Sequence, residues 1–315
     1  MWALVASLVG CRCDLPPMAP GVGPPGTEPM PTTEDTGASL AWTLLDNGYR
    51  SSCGLLDDQR LVCWGEPEQV AISPAGPFVG MAVDGRAGCG LQPDGRLHCW
   101  CFDDDRRVCS NAPRGTYVGV QTGGYWACVE DSERLMTCWG WPIGASDAPT
   151  KPVLDWSIEA DIGCAVLEDQ SVSCWGATEL FADSDPPALL APPDLAYTHV
   201  SVGRTHACAI DTAGEAHCCG RTGFLEPFPT PPPGPWSWLA SGNQVTCGVR
   251  PDGTADCWYD LPGIIPQWTL DPTDQWAQLA LGEFDGCGVT QDGRGVCFGV
   301  ADNEGELTVP SLEDL

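Results

Sequence analysis

The sequence has very little positive charge. Its 315 residues contain 14 lysines and arginines against 43 aspartates and glutamates, a formal net charge of −29, and Lys151 is the only lysine. Because phosphate backbones repel a surface of this kind, we do not expect nucleic-acid binding. The excess of carboxylates has two explanations: it keeps a tryptophan-rich protein soluble, or it attracts a basic partner or divalent cations.

Histidine and the common catalytic motifs are also scarce. The four histidines are His98, His199, His206 and His217. The chain contains no nucleophile elbow, phosphate-cradling loop or zinc-binding helix motif. Carboxylates are plentiful, but sequence spacing alone does not pair any two of them as acid and base. We therefore expect no enzymatic activity, no cofactor and no metal.

Long hydrophobic runs are missing apart from residues 1–10, MWALVASLVG. This segment is similar to a signal peptide, and Leu8-Val9-Gly10-Cys11 resembles the bacterial lipobox, so we expect lipidation of Cys11. A cleaved ordinary signal peptide or a cytosolic N-terminus is the alternative, because the run is short and has no lysine or arginine near its start. No later stretch is long enough to span a bilayer, so we expect membrane contact only through the lipid.

Residues 11–38 form a second region, which is rich in proline, glycine and threonine and has no apolar periodicity. This composition is typical of an extended tether that holds a domain away from a membrane. A proline-rich ligand for a groove-binding module is the alternative. Residues 39–315 form the third region, which is built from repeats.

Cysteine is abundant and regularly spaced. Fourteen of the 19 cysteines form seven pairs in which the partners lie ten positions apart. The pairs are Cys53/Cys63, Cys89/Cys99, Cys128/Cys138, Cys164/Cys174, Cys208/Cys218, Cys247/Cys257 and Cys287/Cys297. Successive first cysteines lie 36, 39, 36, 44, 39 and 40 residues apart. A period near 40 residues indicates a repeat architecture.

The second pair shows what this spacing means. Between Cys89 and Cys99 lies the turn sequence Pro93-Asp94-Gly95, which predicts a hairpin with the two cysteines opposite each other. Opposed residues in antiparallel strands lie about 4.5–5.5 Å apart, within the range of a disulfide. We therefore expect a disulfide in every repeat and an oxidising compartment. Reduced, buried cysteine is the alternative, whereas the spacing does not fit zinc.

Other positions recur in each repeat. A large apolar residue lies eleven positions before each first cysteine, a glycine usually lies five positions before it, and a tryptophan usually follows the second cysteine. Each unit therefore predicts three antiparallel strands with one apolar and one polar face. Such a sheet cannot bury its apolar face alone, so the units must stack. We expect weaker hairpins where Gln59, Arg134 and Gln170 replace the turn glycine, and where Glu130 replaces an apolar residue.

Three sequence elements resemble the regulator of chromosome condensation repeat: VSVGRTHACAI at Val200–Ile210, CWG at 138–140 and 174–176, and Gly305-Glu306-Leu307 in the last copy. The resemblance covers about Ser39 to Leu315 and implies an all-β fold, a seven-bladed β-propeller with antiparallel blades. It also implies that His206 is a packing residue. It says little about activity, because the family includes a nuclear exchange factor, a secreted β-lactamase inhibitor and many bacterial surface proteins.

Three connections between repeats are unusual. The spacing of Cys101 and Cys109 predicts an additional disulfide. The acidic run 103–105 between them is a solvated turn or, alternatively, a calcium loop without the usual ligand spacing. Loops at one end of a propeller commonly bind ligands. Our candidate partner surface is therefore the apolar residues of two proline-rich connections, Phe181, Leu189, Leu190, Phe224 and Phe228. The alternative is that these residues fold back onto the ring.

Together these features predict a non-enzymatic binding scaffold on the bacterial cell envelope that presents propeller loops to a protein or glycan partner. We expect a monomer that is either lipid-anchored at the outer membrane or cell surface, or secreted. One alternative is a propeller-type inhibitor of a secreted or periplasmic enzyme. A guanine-nucleotide exchange factor for a small GTPase is a further alternative, against which the acidic surface, the export signal and the predicted disulfides count.

Overall fold

The computed structural model describes residues 40–48, 51–66, 70, 74–84, 87–101, 107–141, 147–176, 195–222, 226–227, 230–259, 270–282, 285–299 and 307–315. Within them, strands form seven antiparallel sheets, and the main strands of each sheet are three that follow one another in the chain. The first strand of every sheet lines one central channel, so the sheets are the blades of a β-propeller. The predicted seven-bladed, all-β fold is confirmed.

We number the blades 1 to 7 in chain order and call their three strands inner, middle and outer. The inner strands are β1 (Trp42–Gly48), β4 (Gly80–Val83), β7 (Gly119–Gly123), β10 (Val153–Glu159), β13 (Tyr197–Val202), β17 (Trp238–Ser241) and β20 (Trp276–Leu281). The middle strands are β2 (Ser51–Leu56), β5 (Ala87–Leu91), β8 (Trp126–Glu130), β11 (Ile162–Leu167), β14 (His206–Asp211), β18 (Val245–Val249) and β21 (Asp285–Thr290). The outer strands are β3 (Leu61–Gly65), β6 (Leu97–Cys101), β9 (Met136–Gly140), β12 (Val172–Gly176), β15 (Ala216–Thr222), β19 (Ala255–Tyr259) and β22 (Gly295–Gly299).

Two short elements lie between blades. The helix α1 (Arg107–Ser110) follows blade 2, and β16 (Glu226–Pro227) adds a fourth strand to blade 5. None of the helices in the described ranges is long and apolar enough to cross a membrane.

Each middle strand pairs with its outer strand in the predicted register, with Cys89 opposite Cys99 and Leu91 opposite Leu97 in blade 2. All seven ten-residue pairs are disulfides, and their Cα atoms lie 4.0 or 4.1 Å apart, slightly closer than the separation expected from an ordinary antiparallel pair. In blade order the bridges are Cys53–Cys63, Cys89–Cys99, Cys128–Cys138, Cys164–Cys174, Cys208–Cys218, Cys247–Cys257 and Cys287–Cys297. An eighth disulfide joins Cys101 to Cys109. Eight disulfides are typical of proteins from an oxidising extracellular environment.

The two cysteines of a bridge differ in burial. The first cysteine of every pair lies on a middle strand and is fully buried. The second lies on an outer strand and is only partly buried, which holds for Cys63, Cys99, Cys138, Cys174, Cys218, Cys257 and Cys297. Each bridge therefore ties the edge of a blade to its buried centre.

The turns between middle and outer strands need a left-handed backbone. Four of them place glycine there, as at Gly253 with a φ of 86°. The other three place Gln59, Arg134 and Gln170 at φ values of 71°, 62° and 64°. These three turns therefore adopt the same geometry as the glycine turns, at the steric cost that an L side chain has in this region.

The middle strands are buried on both faces, so the expected polar face is limited to the turn and the outer strand, where Arg96 and His98 are exposed. In blade 2 every residue of Ala87–Leu91 is buried. A Cβ added to Gly90 would lie 2.6 Å from the ring of Phe78, and one added to Gly88 would lie 2.2 Å from the ring of Trp100. The small residues beside each cysteine thus make room for the aromatic residues of the inner and outer strands, and both faces pack against neighbouring blades.

One hydrophobic cluster fills each of the seven interfaces between neighbouring blades. In the interface between blades 5 and 6, Cys208 and Ile210 of blade 5 pack against Trp236 and Leu239 of blade 6. The interface between blades 7 and 1 has the same composition, since Cys287 and Val289 pack against Trp42, Leu45 and Trp64. The ring is therefore closed by the same kind of packing that joins consecutive blades.

The turns between middle and outer strands lie on one face of the ring, which we call the turn face. There the carbonyl oxygen of the left-handed residue accepts a hydrogen bond from the first large apolar residue of the next blade. Gly95 bonds in this way to the N–H of Tyr117 (2.8 Å), and Gln170 to that of Tyr197 (2.9 Å). Because this contact recurs at all seven interfaces, the inner strands begin at the turn face and end at the opposite face.

Candidate functional site

The sequence analysis proposed a partner surface on two proline-rich connections. Phe181, Leu189, Leu190, Phe224 and Phe228 lie outside the described residues, and so do Cys11 and the acidic run 103–105. The Cys101–Cys109 disulfide is described, and it fastens α1 to blade 2. The indole N–H of Trp139 holds α1 from the other side, through a 2.7 Å bond to the carbonyl of Val108.

The inner strands enclose a cavity of about 300 Å³ on the axis of the ring. One residue of each inner strand contributes to the end of the channel at the turn face. In every blade this residue pairs with the one that lies two positions after the first cysteine. We call this set the mouth layer: Leu44, Gly80, Gly119, Asp155, His199, Trp238 and Gln278. Residues paired with the first cysteines form the layer beneath it, among them Asp46, Gln121 and Ser157.

The opposite end of the channel is built from glycine because the blades are closest there. A Cβ on Gly203 would lie 2.3 Å from the carbonyl oxygen of Gly242, and one on Gly242 would lie 2.5 Å from that of Gly282. Gly80 differs, since its added Cβ would meet nothing closer than Leu91 at 3.8 Å. The channel is therefore tight at the glycine end and has spare room beside Gly80 at its mouth.

Polar side chains of the two layers reach from one blade to the backbone of the next, and we call these contacts clamps. They run from Asp46 to the N–H of Val83 (2.8 Å), from Gln121 to the carbonyl of Trp156 (2.8 Å), from Ser157 to the N–H of Val202 (3.0 Å), from His199 to the carbonyl of Leu239 (3.1 Å), from Trp238 to the carbonyl of Leu279 (3.4 Å) and from Gln278 to the carbonyl of Leu45 (3.0 Å). Most polar groups of the channel therefore have a structural role.

His199 is the most elaborate clamp. Its Nδ1 lies 2.8 Å from Oδ2 of Asp155 in blade 4, and its Nε2 donates to Leu239 in blade 6. Burial opposes the charged imidazolium, but the charge and hydrogen bond of Asp155 outweigh burial and raise the pKa of His199 above its usual value. The ring also stacks on Trp238, with centroids 4.3 Å apart. His199 thus joins three consecutive blades.

Asp46 is the carboxylate whose pKa is most changed. Burial, together with the nearby charge of Asp84, raises its pKa to about 7, although N–H groups of Val83 and Asn47 act in the other direction. In contrast, burial lowers the pKa of His206 to about 3, so this histidine is neutral. His206 packs without solvent exposure and its Nε2 lies 2.7 Å from the hydroxyl of Thr246, in agreement with a packing role.

The turn face presents exposed apolar side chains on three consecutive blades. Val79, Val118 and Leu154 follow the first large apolar residue of blades 2, 3 and 4, and they are 55%, 63% and 40% exposed. We call them the apolar arc. Trp238, at the mouth of the channel, is 39% exposed. The equivalent residues of the other blades are Thr43, Thr198, Ser237 and Ala277, so the apolar character is confined to one side.

Exposed carboxylates surround this region. In six of the seven hairpin turns the residue before the left-handed position is acidic, and we call these residues the acidic rim: Asp58, Asp94, Glu133, Asp169, Asp252 and Asp292. Hydrogen bonds from the side chains of Ser171 and Thr254 lower the pKa values of Asp169 and Asp252. Asp58 and Asp94 form exposed ion pairs with Arg60 and Arg96.

Sequence analysis missed the apolar arc, although a signal was present. Val79, Val118 and Leu154 occupy the same repeat position, and a run of apolar residues at a position that is elsewhere polar or small indicates a surface. The six acidic turn residues could also have been read from the repeat. In the part of the chain that the structure describes, no three histidine, cysteine or carboxylate residues are grouped as metal ligands.

Seven radial antiparallel sheets around a channel define the protein as a β-propeller. Its solved structural relatives are propellers too. The CRINKLY WD40 ectodomain of the receptor kinase ACR4 from Arabidopsis thaliana is 23% identical, with a TM-score of 0.65, over 84% of this chain and 95% of that chain. Prp20p from Saccharomyces cerevisiae is 13% identical, with a TM-score of 0.60, over 87% and 86% of the chains. No protein-family model matches the chain.

Proposed function

We propose that this protein is a non-enzymatic binding scaffold that docks a protein partner on its turn face. The observation that carries the proposal is the apolar arc of Val79, Val118 and Leu154, which lies beside the mouth of a closed, disulfide-bonded ring. Apolar side chains exposed together at the centre of a face and bordered by charged residues are typical of protein interaction sites.

The charge of the turn face favours a partner with basic residues around an apolar centre. Six acidic turn residues border the face, and the chain as a whole carries a formal net charge of −29. Opposite charge around an apolar contact speeds association and selects the partner. Aliphatic side chains such as Val118 and Leu154 fit apolar protein surfaces better than the polar rims of a glycan, so we propose a protein.

Two comparisons support a binding role on this fold. Prp20p has been described with its binding to Gsp1p and histones, and the ACR4 domain is a receptor ectodomain. We further propose that the chain belongs to the regulator of chromosome condensation repeat family, because seven copies of its repeat form seven blades. The eight disulfides support an extracytoplasmic location, and Cys11 is the proposed lipid anchor. A Cys11→Ala variant should leave the membrane fraction, and unchanged membrane association would refute the anchor.

The docking proposal is tested by affinity capture from a cell-envelope extract with the wild type and three variants. Val118→Asp and Leu154→Asp place a charge in the apolar arc, whereas Trp141→Ala removes an exposed tryptophan from the opposite face. We expect one protein that is retained by the wild type and Trp141→Ala, lost with both arc variants and released by salt. Equal retention by all four proteins, or retention of a glycan alone, would refute the proposal.

A further inference from the structure

Within the described ranges, the interface between blades 2 and 3 lacks a feature that the other six interfaces have. Among the described residues no clamp crosses from blade 2 to blade 3, because the two clamp positions of blade 2 are Gly80 and Ala82. Glycine and alanine have no polar side chain that could reach the next blade. The backbone of β7 therefore faces this interface without the side-chain contact that its equivalents receive.

The other clamps show what kind of group is missing. Four of them donate an N–H to a carbonyl oxygen at the equivalent position of the next blade. These carbonyls belong to Leu45, Trp156, Leu239 and Leu279. The equivalent carbonyl in blade 3 belongs to Val120, by its register with β8. A group that occupied this interface would therefore be an N–H donor.

A second polar group lies at the same interface. Thr122 is only 8% exposed, lines the channel cavity, and its hydroxyl has no hydrogen-bond partner among the described residues. A buried hydroxyl without a partner is costly and needs an explanation. The carbonyl of Val120 and the hydroxyl of Thr122 stand two residues apart on β7, and a forked donor such as a guanidinium carries N–H groups for two acceptors.

Access to this interface is from the turn face. The position beside Gly80 has room for a side chain, because an added Cβ would make only an ordinary van der Waals contact, with Leu91 at 3.8 Å. Val79 and Val118 of the apolar arc directly precede Gly80 and Gly119 in the mouth layer, and both are more than half exposed. A partner that covers the arc therefore lies over the opening.

The charge of the channel indicates whether a neutral or a cationic N–H donor fits this interface. Asp46, Asp155 and Glu159 line the cavity, and the described residues of its lining include no lysine or arginine. The one histidine among them, His199, is already bound to Asp155. Together with the exposed acidic rim of the turn face, these carboxylates attract a cation to the mouth of the channel. The donor that fits is therefore cationic, and the cavity of about 300 Å³ is large enough for a side chain.

We propose that the docked partner inserts an arginine or lysine side chain beside Gly80, where it donates to the Val120 carbonyl and the Thr122 hydroxyl. This inference rests on the proposed function, because it assigns the anchor residue of the same partner. Among the described residues the protein thus supplies clamps at six interfaces itself and receives the clamp of the seventh from its ligand.

The first test uses small probes on the purified protein. N-acetyl-arginine amide is compared with N-acetyl-citrulline amide, which has nearly the same shape and no charge. Binding is followed by chemical-shift changes of the Thr122 backbone amide in a titration. We expect saturable binding of the arginine probe and a citrulline affinity at least about tenfold lower. Equal affinities, or no shift at Thr122, would overturn the inference.

Two variants separate this site from an ordinary structural defect. Thr122→Val keeps the side-chain shape and removes a hydroxyl that has no described protein partner, so the fold should keep its stability while the arginine probe binds about tenfold more weakly. Gly80→Gln supplies an internal clamp like that of Gln278, so it should raise the melting temperature and abolish probe binding. Trp141→Ala, on the opposite face, is the control and should bind the probe normally.

The captured partner decides whether the site serves the proposed function. If Gly80→Gln loses the partner that Val118→Asp also loses, the anchor is supported. If Gly80→Gln retains this partner fully, the anchor is overturned while docking on the apolar arc stands. If the probe binds as expected but no partner depends on Val118, the cation site is supported and the docking proposal fails.

Discussion

The backbone N–H of Trp42 donates a hydrogen bond of 2.9 Å to the carbonyl oxygen of Gly293. This bond joins the first strand of blade 1 to the hairpin turn of blade 7, and it repeats the contact found at every other interface. Because each blade is made from consecutive strands, the first and last blades share no strand among the described residues. Closure of the ring therefore depends on cross-blade contacts that are individually small.

Gln278 provides a two-way side-chain contact at this closure. Its amide donates to the carbonyl of Leu45 at 3.0 Å and accepts from the N–H of Leu45 at 3.2 Å. Gln278→Ala leaves both backbone groups without this partner and should lower the free energy of unfolding by about 1–3 kcal/mol. Denaturant unfolding measures the change, with the exposed Gln291→Ala as control. A loss no larger than that of the control would show that closure does not depend on Gln278.

Glycine at the left-handed position should stabilise the three hairpin turns that lack it. Gln170 adopts a φ of 64°, where an L side chain costs about 1–2 kcal/mol. Gln170→Gly should therefore raise the free energy of unfolding by about 0.5–1 kcal/mol, after the entropy that glycine gains in the unfolded chain is subtracted. Gln170→Ala is the control, because it shortens the side chain and keeps the strain. If the alanine variant gains as much as the glycine variant, turn strain is not the cause.

Much of the fold could be predicted from the sequence because its determinants lie close together in the chain. The ten-residue offset of Cys89 and Cys99 defines a hairpin, and seven copies define a ring. The clamps could not be predicted in this way. Asp155 and His199, for example, belong to different repeats, and only blade stacking brings them to 2.8 Å. The space beside Gly80 has the same origin, since a glycine in a strand shows its purpose only when its neighbours are known.

The glycine end of the channel should tolerate no side chain. Gly242→Ala would place a Cβ 2.5 Å from the carbonyl oxygen of Gly282, a contact that forces blades 6 and 7 apart. We expect a loss of stability of about 1–3 kcal/mol, typical of overpacking. Gly80→Ala is the matched control, because its Cβ would meet nothing closer than 3.8 Å. Thermal unfolding compares the two, and equal stability would refute the close approach of the blades.

The disulfides predict how many cysteines resist alkylation in the absence of reductant. Eight bridges join sixteen of the 19 cysteines. Protein from an oxidising compartment, alkylated after denaturation without reductant, should therefore keep at least these sixteen cysteines unlabelled in its intact mass. Reduction before alkylation is the control and should label all sixteen. Labelling of the ten-residue pairs without reductant would contradict cross-strand bridging.

Asp46 should make the stability of the ring depend on pH. Its pKa is about 7 in the folded protein against an ordinary 3.8, so between these values the folded state binds more protons than the unfolded state. Stability from this residue is therefore greatest in acid and falls as the pH rises, by about 1.4 kcal/mol per pH unit at most. His206 acts in the opposite direction, because burial lowers its pKa to about 3 and stability falls as acid protonates it in the unfolded chain.

These opposing contributions are separated by Asp46→Asn, which keeps an oxygen to accept the N–H of Val83 and removes the charge. The variant should match the wild type near pH 4 and become more stable than the wild type as the pH approaches about 7, because only the wild type releases a proton from this residue on unfolding in this range. Denaturant unfolding across this range measures the difference. Ser157→Ala removes an uncharged clamp from the same layer, so its effect should be the same at every pH. A constant difference between the wild type and Asp46→Asn would contradict the raised pKa.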